Sequence, residues 1–103
     1  MRSFIESKMK MSGPYQAIII SECLKNNGSA SLEAIASVLN ALDNKGAAYY
    51  VSKLKIHPKA VLATHNVAAM INNHFQLTMS YKSEEVTELV NLCDSKLKKF
   101  LTK

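Results

Sequence analysis

His57-Pro58-Lys59-Ala60-Val61-Leu62-Ala63-Thr64-His65-Asn66, followed by Val67 to Ile71, Asn72-Asn73 and His74 to Thr78, is the stretch on which the fold turns. His57-Pro58 reads as a turn whose proline opens a short helix, because proline lacks the N–H that a first helical turn leaves unpaired. Lys59 to His65 then forms that helix, with Val61 and Leu62 facing inward and Asn66 as a left-handed stop. Two short strands are expected next, Val67 to Ile71 and His74 to Thr78. The Asn72-Asn73 pair between them tolerates the positive φ angles that a tight hairpin requires.

Upstream, three further helices precede this unit. The first is expected to start near Ser12-Gly13-Pro14, to bury Tyr15, Ile18, Ile19 and Leu24, and to stop at Asn26-Asn27-Gly28. Ser29 to Ser31 is a short link or a strand of a small sheet. Ser31 is a good N-cap for a second helix with Ile35, Val38, Leu39 and Leu42 at helical spacing. Asp43-Asn44 breaks that helix, and a third buries Ala47, Tyr50, Val51 and Leu54. Tyr49 and Tyr50 are adjacent, so they point in different directions and one of them belongs to the core.

Downstream, Ser83 is the expected cap of the last helix. Glu84, Glu85 and Glu88 lie at its positive end, and Lys96, Lys98 and Lys99 at its negative end. Val86, Leu89, Val90, Cys93, Leu97, Phe100 and Leu101 trace one apolar stripe. Residues 1–11 read as an N-terminal tail, 12–82 as the main domain, and 83–103 as a helix packed on it.

The chain has 103 residues, the size of a single domain, and a mean hydropathy of −0.04. Its longest purely apolar run, Ala17 to Ile20, is far too short to span a bilayer, and no signal peptide is apparent. A cytoplasmic protein, associated with the nucleoid when bound to DNA, is the expectation, with no membrane contact. Cys23 and Cys93 sit at apolar-periodic helical positions and read as buried free thiols.

The net charge of +5 is unevenly spread. Residues 1–43 balance Arg2, Lys8, Lys10 and Lys25 against Glu6, Glu22, Glu33 and Asp43. Residues 83–103 balance Glu84, Glu85, Glu88 and Asp94 against Lys96, Lys98, Lys99 and Lys103. The whole excess lies between Asn44 and Lys82, where Lys45, Lys53, Lys55, Lys59 and Lys82 meet no acidic residue. Such a one-signed segment suits a polyanion, although a solvated lysine face produces the same composition.

Helix, short strand, helix, helix, short helix and hairpin make the expected fold mainly α with a small β-hairpin. The order is that of a winged helix, or winged helix-turn-helix, with an added C-terminal helix. In that fold a helix fits the major groove and the hairpin lies along phosphates or an adjacent groove. Gly13-Pro14-Tyr15-Gln16, Gly28-Ser29-Ala30-Ser31 with Ile35-Ala36, Tyr49-Tyr50, Pro58-Lys59-Ala60-Val61-Leu62 with His65, and Glu84-Glu85 through Leu101 carry a resemblance. Over residues 12–101 the chain resembles the winged-helix module preceding catalytic domains in some restriction-type HNH endonucleases and some histidine-triad nucleotide-transferase relatives. The resemblance implies a DNA-binding targeting domain. Where that family tends to carry basic residues before the helix-four histidine, this chain has Ala63 and Thr64; where it tends to carry glycine after it, this chain has Asn66.

The expected function is therefore double-stranded DNA recognition, as the specificity module of a restriction-type endonuclease, extending to a modified base. A protein-interaction or dimerisation module, or a transcription regulator, is the alternative. Lys59 and Thr64 are candidates for base or phosphate contacts on the fourth helix, and Lys53 and Lys55 for phosphate neutralisation before it. His57 is weighed between a helix cap and a contact. Asn72, Asn73 and His74 are weighed between turn residues and groove contacts. His65 reads as a buried histidine.

Chemistry is not expected in this chain. His65-Asn66 with His74 lacks the spacing and the nearby carboxylate of an HNH metal site. No Ser/His/Asp set, glycine-rich phosphate loop or Cys/His dyad is present. No cofactor or metal is called for, and catalysis belongs to a tethered nuclease segment or another protein.

Overall fold

Asn72 and Asn73 both adopt left-handed backbone, with φ of 51° and 63°, and so close a two-residue hairpin between β2 (Ala68–Ile71) and β3 (His74–Leu77). The computed structural model describes residues 1–8 and 15–101. The expected helix start at Ser12-Gly13-Pro14 lies outside the described residues. Strand β3 pairs on its other side with β1 (Ser29–Ser31), giving a three-stranded antiparallel sheet of order β1-β3-β2. Phe75 sits opposite Ala30 on one neighbour and Met70 on the other, and it is fully buried.

Helix α1 (Tyr15–Lys25) is the central helix. Ala17, Ile18, Ile19, Ile20, Cys23 and Leu24 are all buried, because α5 and the sheet both pack against it. It stops where expected: Asn27 and Gly28 have positive φ, and the Gly28 N–H donates to the Cys23 carbonyl at 2.7 Å. A Cβ on Gly28 would sit 3.1 Å from the Tyr81 hydroxyl, so space as well as φ favours glycine.

Helix α2 (Leu32–Leu42) begins as expected, the Ser31 hydroxyl accepting from the Ala34 N–H at 3.1 Å. The Leu32 N–H donates to the Asn73 carbonyl at 3.0 Å, so the hairpin turn supplies a second cap. Leu32, Ile35, Ala36 and Leu39 are buried, whereas Leu42, expected in the core, is 47% exposed. It occupies the last turn, where the chain leaves for α3 and no element covers it. Helix α3 (Ala47–Leu54) buries Tyr50 and Leu54 and half-buries Val51, but Ala47, expected inside, is exposed at its free first turn. Helix α4 (His57–Thr64) starts two residues earlier than expected and ends one residue sooner; Leu62 is buried and Asn66 takes the left-handed stop at φ 56°.

Ser83 does not cap the last helix. It opens a 3-10 turn, Ser83–Glu85, that runs into α5 (Val86–Leu101). Glu85 supersedes it, its carboxylate accepting from the Lys82 N–H at 3.2 Å while its own N–H donates to the Lys82 carbonyl at 2.9 Å. Of the α5 stripe, Leu89 and Cys93 are buried against α1, while Val86, Val90, Leu97 and Phe100 are half-buried.

Within the stretch expected to be an N-terminal tail, residues 1–8 are described and contribute to the core. Phe4 and Ile5, on a π-helical turn spanning Phe4–Lys8, lie in the core. Arg2 pairs with Glu6 and with Glu88 of α5, and Lys96 Nζ donates to the Glu6 carbonyl at 3.1 Å. No helix among the described residues is long and apolar enough to cross a membrane.

Cys23 and Cys93 are buried free thiols, and the Cys23 Sγ donates to the Phe75 carbonyl at 3.4 Å. Burial pushes both thiols up to about 12. Two outcomes follow from this core. Phe75→Ala removes the ring at the centre of the sheet and lowers unfolding free energy by about 3–5 kcal/mol, measured by urea titration. Because the unfolded thiols ionise near their ordinary value while the folded ones resist, their contribution to stability is complete below that value. It falls as pH rises toward 12, by up to about 1.4 kcal/mol per thiol per pH unit. Urea midpoints at pH 8 and 10 should show this decline, and the Cys23→Ala/Cys93→Ala double variant should show less of it.

Candidate nucleic-acid interface

The acid-free segment begins in the four-residue turn between α2 and α3, Asp43 to Gly46. Gly46 has a φ of 95°, and its N–H donates to the Asn40 Oδ1 at 2.8 Å. The Tyr50 hydroxyl donates to the Asp43 carbonyl, so the angle between the two helices is held from both sides of the turn. Burial, then the Asp43 carboxylate, raises the Tyr50 phenol above its ordinary value. Tyr50 thus stays a neutral donor.

With Tyr50 and Leu54 turned inward, the opposite side of α3 is defined by helical spacing. Tyr49, Ser52 and Lys53 lie at i, i+3 and i+4 on α3 and are exposed; Ile56, also exposed, lies beyond the helix in the turn to α4. Lys53 Nζ stands 5.4 Å from the centre of the Tyr49 ring, a cation–π contact that holds the ammonium over an aromatic face. Tyr49 itself meets Tyr50 edge-on, with ring centres 5.1 Å apart. Lys55 caps the C-terminus of α3 and is exposed; Lys59 is exposed on the first turn of α4.

Lys53, Lys55 and Lys59 are all exposed within the seven residues that span the corner joining α3 to α4. The His57 side chain, between them, lies outside the described residues. Thr64 is at the far end of α4, about 7–8 Å along the axis from Lys59 and on a different side of the helix. Its hydroxyl donates to the Ala60 carbonyl at 2.8 Å, a bond within its own helix.

Asn72, Asn73 and His74 form a second, separate group at the hairpin turn. All three side chains are exposed. His74 Nδ1 lies 3.0 Å from the Asn72 carbonyl, and the Asn73 carbonyl takes the Leu32 N–H, so the turn is tied down to the start of α2. Pairing continues to Ile71 opposite His74, which leaves only the two asparagines beyond the ladder. His65, expected to be buried, is exposed and packs its ring against Phe4 at 5.5 Å. Position 65 follows the last turn of α4, and the N-terminal segment is what reaches it.

The residue that sequence reasoning missed is Ile56; of the two adjacent tyrosines, expected to point in different directions, Tyr50 is the buried one and Tyr49 the outward one. Ile56 is 67% exposed and Tyr49 40% exposed. Tyr49 is offset by one residue from the inward Tyr50, whereas Ile56 lies past the helix end, where no periodicity marks it.

Tyr50→Phe loses the bond to Asp43 and lowers stability by about 0.5–1.5 kcal/mol, while Tyr49→Phe leaves it unchanged; thermal unfolding of both variants distinguishes them. No family model, curated protein or solved structure matches the chain.

Proposed function

We propose that the chain is a winged-helix module that binds duplex DNA, with α3 rather than α4 facing the major groove. The element order α1-β1-α2-α3-α4-β2-β3 supports this assignment. A helix-turn-helix joins its two helices through three or four residues, often including glycine, and Asp43 to Gly46 fits that description. The observation that carries the proposal is the outward side of α3. It offers a phenol, a hydroxyl and an ammonium at helical spacing, and it ends in a lysine corner within a segment free of carboxylates.

Helix α4 serves that assignment poorly. Among its described side chains the exposed ones are Lys59, Ala60, Ala63 and Thr64, two of them alanines, and the threonine hydroxyl is donated internally. Its role in the proposal is to present Lys59 beside Lys53 and Lys55 for phosphate contact. The hairpin contributes a short wing, limited to Asn72, Asn73 and His74. Within the same proposal the chain targets DNA for cleavage carried out by another segment or protein, as the resemblance to nuclease-associated modules implies.

Fluorescence anisotropy with a short labelled duplex across a salt series tests this. Each neutralised phosphate contributes about −0.9 to the slope of log K against log salt, so three lysines predict a slope of about −3. Lys53→Ala, Lys55→Ala and Lys59→Ala each reduce the slope by about 1, and the triple glutamate variant abolishes binding at moderate salt. Absence of binding at low salt, or binding indifferent to salt, refutes the assignment.

A further inference from the structure

We propose that Ile56 detects the 5-methyl group of a pyrimidine in the major groove, an inference that rests on the duplex-binding assignment above. Ile56 is the most exposed large hydrophobic side chain among the described residues, at 67%. It is not on a loose loop. Its N–H donates to the Lys53 carbonyl at 3.2 Å, and its carbonyl accepts the Ala60 N–H at 3.3 Å, so its backbone joins the last turn of α3 to the first turn of α4. A β-branched side chain on such a corner has little rotamer freedom to lose on contact.

Its surroundings define the partner. It lies just past the end of α3 in the turn to α4, with the exposed Lys55 next to it and the exposed Lys59 three positions on. An exposed apolar residue set between exposed lysines along one corner matches a surface with anionic walls and an apolar spot on its floor. In B-form DNA the major groove has phosphate walls, and the apolar group its base edges present is the pyrimidine 5-methyl. That methyl has two sources, thymine and 5-methylcytosine.

The full chain is titrated with alternating dA–dT duplex and with the dA–dU duplex that differs only by the methyl. The wild type should bind dA–dT about three- to fivefold more tightly, the worth of one methyl brought into apolar contact. Ile56→Ser should bind the two duplexes equally while keeping the wild-type salt slope and unfolding midpoint, and Ile56→Val should keep part of the preference. A parallel pair, alternating dG–dC and dG–5-methyl-dC, separates the sources. A matching gain means that the methyl is detected on either base; a preference confined to dA–dT assigns it to thymine.

Equal wild-type affinity for dA–dT and dA–dU overturns the inference while leaving salt-dependent duplex binding intact. So does a preference that survives in Ile56→Ser. If no duplex binds at low salt, both the inference and the assignment beneath it fall.

Discussion

Two consecutive asparagines in left-handed geometry set the register on which the molecule depends. Side chains alternate along a strand, so moving the hairpin pairing by one residue would turn Phe75 from the core to solvent. With Asn72 and Asn73 in place, Ile71 meets His74, Met70 meets Phe75, and β1 adds Ala30 on the other side of the ring. The same turn offers the Asn73 carbonyl to the first N–H of α2. A local backbone preference thereby positions both the sheet and the helix that leads to the candidate interface.

From α2 the constraint passes to α3 through polar contacts to the intervening turn. Asn40 holds Gly46, and Tyr50 holds the Asp43 carbonyl, so the inward side of α3 is chosen by a buried phenol with a fixed acceptor. Its outward side is then settled by helical geometry. The charge pattern acts on a different level. A stretch of sequence with lysines and no carboxylates suits an anion, but the backbone decides which of them share a corner.

Features encoded within a few residues were legible in the sequence. The hairpin pair, the Ser31 cap, the Asn66 stop and the buried cysteines depend on local chemistry, and each was found where residue type placed it. What escaped depended on distant partners or on competition between neighbours. Phe4 and Ile5 are too few to show a period, and their burial requires α5, more than eighty residues away. Leu42 and Ala47 continue an apolar pattern past the point where a covering element exists. Glu85 displaced Ser83 because both can close the same helix start. For the candidate site, the acid-free segment was plain from composition, yet the division of labour between α3 and α4 was not. It rests on which side of α3 Tyr50 and Leu54 turn inward.

The clasp between the N-terminal segment and α5 has a consequence for how the molecule assembles. The bond from Lys96 to Glu6 spans ninety positions, so it encloses nearly the entire polypeptide in one circuit. Circuits of that size carry a large closure entropy, whereas the hairpin closes over two residues. Residues 1–8 thus bring Phe4 and Ile5 into the core only through contacts that span most of the chain, whereas the hairpin needs none.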